Sequence, residues 1–454
     1  MSREKGDTAA LPGAAVVGRG WSHHDDHLEP TMTTRRDAAP PSTPDTGSRT
    51  RPDRALSTPV AERVLAPDLA RGMMLLLIAM AHIPWFIYEA PAGAAMLHPA
   101  DGNLADRIAQ ALTIVVVDAR THTMFGFLFA YGIGQMHARQ RARGTEHREV
   151  RRLLRTRHLW LLAFGAVHAL LLWQGDILGV YGLIGLIMVP LFLGRSDRTL
   201  KVWVVVLLAL GALITLLSAA SALLASQAEP AFSAADFQRT SIAEPAYLLS
   251  AVLRLPAWGV GLFSGLSTLA LPTAFLIGLL AARHRILEEP SRHLPLLRWV
   301  AGAGITVGWA AGAALALQHV GALHIGDAMV LSSVHFYTGI FTGVGYAALF
   351  GLIAHRITVR GTRDSLPVRG MAALGRRSLS GYLTQSVLFA PFLAAWGLGL
   401  GVYLSSWSAA LVALTIWLIT VAAALLMDRS GVRGPAETLL RRLTYRTRRP
   451  RVRS

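Results

Sequence analysis

Two ionisable residues interrupt the first long apolar run, ARGMMLLLIAMAHIPWF: Arg71 and His82. Eleven positions at about 100° each come to three turns plus roughly 20°, so on a helix both side chains share a face, about 16 Å apart along the axis. Hydrocarbon makes an unpaired charge expensive, and an ionisable residue inside a span is a functional hypothesis for that reason. The imidazole titrates near neutral pH and could take a proton from a hydroxyl or amine. The arginine's planar fork suits a phosphate. Plainer uses stand beside these. Asp68 shares Arg71's face at i, i+3, pairing with it locally and complementing a helix N-terminus. An arginine within one turn of the inner surface can also snorkel to the headgroups.

Further polar groups fall at similar depth. Counting 1.5 Å per residue from the helix ends puts His82 and Gln385 about 20 Å and His168 about 15 Å from the inner surface, with His335 roughly 9 Å below the outer one. Asp118, Arg120 and His122 open the second span from outside, Asp176 and Asp327 stand at the outer ends of the fourth and eighth, and Tyr382 lies one turn before Gln385. Groups from five or more helices are thus expected around one outward-facing cavity. In it His82, His122 or His168 would be the base, oriented by Asp118 or Asp176, and Asp68, Arg71, Arg120, Asp176, His335, Tyr382 and Gln385 would bind substrate. The structural alternative is that each histidine hydrogen-bonds a neighbouring helix, that Asp176, after Gln174-Gly175, caps a helix, and that Asp118 and Arg120 form an ion pair. No glycine-rich phosphate loop, HExxH or nucleophile elbow occurs. With no cysteine, disulfides, thiolate nucleophiles and thiolate metal sites are excluded. No metal centre is expected; the His23, His24, Asp25, Asp26, His27 stretch reads as solvated tail.

The elements that must position these groups follow from composition. A chain of 454 residues that is 53% hydrophobic and 16% charged lies outside the soluble globular range. Ten segments are long and apolar enough to span, at about 69–88, 121–137, 158–174, 177–194, 201–225, 266–283, 297–318, 329–354, 371–397 and 405–427. In hydrocarbon they must be helices. With the N-terminus inside, the inner loops hold eight Arg in 138–157, three Lys/Arg in 195–201, four in 283–298, six in 355–377 and nine after 427, while Arg107, Arg120 and Arg239 are the exceptions outside. The positive-inside rule therefore puts both termini in the cytoplasm. The formal charge of +17 is spread over these strips, which argues against a nucleic-acid partner. Ala105 to Asp118 and Tyr247 to Gly265 carry Asp106, Arg107, Gln110, Arg254 and Pro256 and are expected as outer re-entrant or interfacial helices.

The expected fold is an all-α polytopic membrane helix bundle over residues 63–428, with a disordered cytoplasmic tail at 1–62 and a basic amphipathic tail at 429–454. In that last segment Leu439, Leu440 and Leu443, flanked by Arg441, Arg442 and Arg446, suit an anionic inner leaflet. Gly261/Gly265, Gly304/Gly308/Gly312 and Gly339/Gly343 recur at four-residue spacing, which lets helix backbones approach closely. Two lysines against 42 arginines, with abundant Ala, Gly and Leu, read as a GC-rich bacterial genome.

VLAPDLARGMMLLLIAMAH, VVVDARTHTMFGFLFAYGIG, RHLWLLAFGAVHALLLWQGDILGVYGLIGL, SLSGYLTQSVLFAPFLAAWGLGLG and GPAETLLRRLTYR occur in order over about residues 63–448. Together they resemble the domain of unknown function 418, or YeiB-like, multi-pass membrane proteins. The first spans are similar to transmembrane acyltransferases, in which an Arg or Lys is followed eleven positions later by His. That resemblance implies His82 as base at the acceptor and Arg71 on the acyl-donor side; the heparan-glucosaminide acetyltransferase-like alignment implies His98 instead. It further implies no tightly bound cofactor, an acyl coenzyme A as co-substrate, a small-molecule or cell-envelope hydroxyl or amine as acceptor, and residence in the bacterial cytoplasmic membrane. Two other classes stay open: a small-solute transporter or exporter with a histidine proton relay, and a structural protein without turnover.

Overall fold

The computed structural model describes residues 64–95, 97–224, 234–324 and 328–446. The tail at 1–62, its histidine stretch and Asp327 lie outside the described residues. Fifteen α-helices and no strand occur among them, in the order α1 Leu65–His82, α2 Leu104–Val116, α3 Thr121–Ala142, α4 His147–Leu171, α5 Leu178–Phe192, α6 Asp197–Leu224, α7 Ala234–Ala243, α8 Tyr247–Ser267, α9 Ala270–Arg283, α10 Leu294–His319, α11 Ala328–Val359, α12 Leu366–Arg376, α13 Ser378–Leu393, α14 Ser406–Arg429 and α15 Pro435–Arg446. Seven helical stretches are long and apolar enough to cross a membrane: Leu65–Phe86, Leu104–Ala142, Asp197–Leu224, Tyr247–Ser267, Pro290–His319, Ala328–Val359 and Ser406–Arg429. Leu178–Phe192 and Ala270–Arg283 are apolar but shorter. The outer faces are apolar too. Along α6, Val205, Leu216 and Leu224 are 65%, 67% and 86% exposed, a surface that water would not tolerate and lipid would.

Helix approach is set where the glycine spacing predicted. A Cβ on Gly304 would strike the Phe341 carbonyl, one on Gly308 the Thr342 side chain, one on Gly339 the Ala119 carbonyl and one on Gly343 Thr123 and Met124, so α10, α11 and α3 touch backbone to backbone. Gly265 meets Val180, whereas Gly261 faces open space and takes no part. The N-terminal half of α1 and helix α12 meet in the same way, Gly375 lying against the Asp68 backbone and Gly72 against that of Met371. Leu69, Met74, Leu75, Met124, Leu128 and Tyr131 fill the core between α1 and α3.

Four expectations change. The expected outer helix at 105–118 is not a separate re-entrant element: α2 and α3 form one kinked helical stretch, Leu104–Ala142. Its polar residues are satisfied by neighbouring helix ends, Asp106 accepting from Trp407 N (3.0 Å) and Gln110 donating to Ser406 Oγ (2.9 Å). The expected re-entrant helix at 247–265 is continuous through Pro256 from Tyr247 to Ser267. Its charge is accommodated within the protein, because Arg254 donates to Leu170 O and Ser250 Oγ and lies over the rings of Tyr247 and Trp396. The span expected at 371–397 is broken at Arg377, where α12 ends and α13 begins. Finally α15 is docked on protein. Leu440 is buried, and Glu437 accepts from Leu379 N, Ser380 N and Ser380 Oγ, filling the donors at the start of α13; Leu439 stays exposed.

Candidate functional site

The kink between α2 and α3 brings several polar side chains together. Val116 ends α2, Thr121 begins α3, and between them Ala119 is held at φ 60°, a left-handed conformation that non-glycine residues adopt at a cost. The break is held by Gly339, whose missing side chain admits the Ala119 carbonyl, and by Thr123 Oγ1 donating to Gly339 O at 2.9 Å. It turns Asp118 one way and Arg120 the other. Arg120, fully buried, donates to the carbonyls of Asp118 and Gly308 and to the His335 ring, 2.8 Å to Nε2. Asp118 and Arg120 thus form no side-chain ion pair, contrary to one sequence expectation. The guanidinium binds backbone and His335, and the carboxylate is left to another partner.

That partner is His98. Its Nε2 lies 2.7 Å from Asp118 Oδ2, the geometry of a carboxylate that fixes an imidazole's orientation and tautomer. The loop carrying His98 joins α1 to α2 and is held from two sides. Arg239 donates to Ala90 O and Leu97 O, both at 2.6 Å, and His319 Nδ1 accepts from Ala95 N at 3.1 Å. Gly93 lies against the His319 ring, and an isolated bridge pairs Ala92 with Pro99. His98 is 5% exposed.

His98, Asp118, His82, His122 and His335 line one cavity of about 250 Å³, walled further by Trp85, Phe125, Tyr181 and Phe336. His82 closes α1 there, its ring meeting Trp173 edge-on at 4.5 Å. His122 contributes its imidazole, while its backbone carbonyl accepts from Tyr181 Oη at 2.6 Å. Among the described residues no three His, Asp or Glu side chains converge as metal ligands.

The remaining sequence-predicted residues stand outside this cavity. His168 and Asp176 are deeply buried in the α4–α5 hairpin, Nδ1 to Oδ1 at 3.3 Å without hydrogen-bond geometry. The Asp176 carboxylate is already occupied by Leu178 N (3.1 Å), Gly179 N (2.6 Å) and Trp258 Nε1 (3.2 Å); it caps α5, the structural alternative anticipated for it. Tyr382 lies between the groups, ring centroids 6.4 Å from His82 and 5.3 Å from His168, and its hydroxyl accepts from Ile177 N. Gln385 is buried with neither amide atom partnered. Asp68 and Arg71 sit at the far end of α1, 3.6 Å apart, Arg71 also donating to Leu128 O at 3.3 Å; the sequence pair Arg71/His82 therefore shares a helix, but Arg71 does not line the His82 cavity. Sequence reasoning missed Arg239, His319 and Trp173. Arg239 had registered only as an exception to the charge rule, and that was its signal: a cation on the wrong side needs carbonyls to hold it.

Residues 281–447 match the family model described as "Protein of unknown function (DUF418)". The chain is 25% identical over 404 residues to the uncharacterized protein YxaH of Bacillus subtilis (strain 168), covering 85% of this chain and 94% of that protein. It is 27% identical over 416 residues to the uncharacterized protein YeiB of Escherichia coli (strain K12), covering 86% and 98% respectively. These matches state no activity, and the acyltransferase similarity read from the first spans is not among them. A family model thus matches the C-terminal part of the chain, and similarity to the DUF418, YeiB-like proteins runs through most of its length.

Proposed function

We propose that this is an acyltransferase of the bacterial cytoplasmic membrane, both termini inside, which moves an acyl group from a cytoplasmic acyl coenzyme A to a hydroxyl or amine of the cell envelope. The observation that carries the reading is the His98–Asp118 pair, 2.7 Å apart on the wall of a cavity that three further histidines, His82, His122 and His335, also line. Asp118 presents His98 as a base. His98 takes the acceptor's proton as the oxygen or nitrogen bonds to the acyl carbonyl carbon; the carbon–sulfur bond breaks, and the coenzyme A thiolate leaves and is protonated. The aromatic walls suit an acceptor with apolar faces and few polar groups. The basic strips between spans support the orientation.

The absence of cysteine from the chain helps the assay, since the protein itself contributes no thiol to the signal. Short-chain acyl coenzyme A with envelope extract should release thiol in an acceptor-dependent manner from wild type and not from His98→Ala. Equal release by both would reject the assignment of the base.

A second reading, solute transport by a proton relay, draws on the succession of His82, Tyr382 and His168 leading from the cavity to Asp176. Solute movement across proteoliposomes without an acyl donor would favour it.

A further inference from the structure

The inner half of α4 carries a second built cavity. Arg148, Arg151, Arg152 and Arg155 follow at i, i+3, i+4 and i+7, which places all four on one helix face. With His158 and with Gly185, Leu186, Val189 and Pro190 of α5 they line a cavity of about 380 Å³, within the range of roughly 300–1,000 Å³ typical of ligand sites. Pro190 lies inside α5 and has no N–H for the carbonyl four residues back. Its own carbonyl accepts from Arg151 at 2.8 Å. Arg148, Arg152 and Arg155 make no ion pair among the described residues, and like charges one turn apart repel unless an anion lies between them. A second feature points the same way. His158 is fully buried, seated on the Gly185 backbone, where a Cβ would come within 2.6 Å of its Nδ1, and both ring nitrogens lack a partner.

We infer that this cavity binds a phosphate ester, gripped by Arg152 and Arg155 with Arg148 and Arg151 around it. Guanidinium forks match phosphate oxygens two at a time, and a buried imidazole without a partner is a donor waiting for one. Two sources share that chemistry: an anionic phospholipid, whose chains would lie along Leu159 and Leu191, exposed at 51% and 52%, or a soluble phosphorylated molecule such as the nucleotide part of a coenzyme A. The site does not depend on the acyl-transfer reading, because none of its lining residues belongs to the cavity that holds His98 and Asp118.

The experiment uses purified full-length protein in zwitterionic detergent, titrated with phosphatidylglycerol in one arm and with adenosine 3′,5′-bisphosphate in the other. Binding is read by native mass spectrometry and thermal stabilisation. Arg152→Gln/Arg155→Gln should weaken binding by roughly tenfold or more for each guanidinium lost, as expected for charge-assisted bonds, while Arg429→Gln/Arg433→Gln, both exposed, should bind as wild type. His158→Gln, which keeps a donor, should retain most of the binding if the double variant proves unstable. Selective loss in the lipid arm identifies a headgroup site, and selective loss in the nucleotide arm a soluble ligand. Binding in neither arm, or equal weakening in the Arg429/Arg433 control, overturns the proposal.

Discussion

Replacing Gly339 by Ala tests whether the α2–α3 break, and with it the presentation of Asp118, depends on one backbone approach. A Cβ there would overlap the Ala119 carbonyl oxygen and lie 2.8 Å from the carbonyl carbon and 3.1 Å from Ala119 Cβ. Carbon contacts settle near 3.5–4.0 Å, so α11 and the break must part by about 0.7 Å or more. The obstruction is backbone, in a residue already at φ 60°, so no side chain can swing away. The same movement stretches the 2.9 Å bond from Thr123 Oγ1 to Gly339 O to about 3.6 Å, past the limit of a hydrogen bond. Overpacking costs about 1–3 kcal/mol and the lost bond about 0.5–1.5 kcal/mol, together about 1.5–4.5 kcal/mol, or roughly 10- to 1,600-fold in the folding equilibrium. Gly302→Ala is the control. Nothing lies within 4 Å of its Cβ position, and the change should stabilise by about 0.4–1 kcal/mol through reduced unfolded-state freedom. Thermal denaturation in one detergent reads both. A Gly339→Ala protein melting at or above wild type would refute the argument that this contact holds the break.

Arg120→Lys should lower the melting temperature although it keeps the charge, because a single ammonium cannot reach Asp118 O, Gly308 O and His335 together; an unchanged melt would mean the guanidinium network contributes nothing. Asp176→Ala strips the acceptor from Leu178 N, Gly179 N and Trp258 and should destabilise by about 1–2 kcal/mol as a lost cap, while leaving any residual turnover per folded molecule intact. Glu437→Gln should loosen α15 from α13, raising protease cleavage near residue 434, since a neutral amide accepts more weakly from Leu379 N and Ser380 N; no change in cleavage would show that apolar docking through Leu440 suffices.

The helical class and the glycine contacts between α10, α11 and α3 are legible in the sequence, because each is written in spacing along one segment. Asp176 as a cap is also local, two and three residues from the N–H groups it binds. The site itself is less so. Arg120 and His335 are 215 positions apart and Arg239 reaches Ala90 across 149, pairings that one-dimensional periodicity does not encode. Composition placed Ala105 to Asp118 in a separate outer helix because polar residues in hydrocarbon demand a partner, and it could not foresee that the start of α14 would partner Asp106 and Gln110. His98 is the instructive case. Its loop has no helical period, so residue counting passed over it, and only the family resemblance suggested it; in the fold it is the histidine that meets Asp118.

Mass profiling of envelope lipids and glycans across four otherwise identical strains, expressing wild type, His98→Ala, Asp118→Asn and His168→Ala at equal protein level, tests that pairing most directly. His98→Ala and Asp118→Asn should both lose the same acylated species, and His168→Ala should keep it. Retention of every acylated species in the His98→Ala strain would contradict the account.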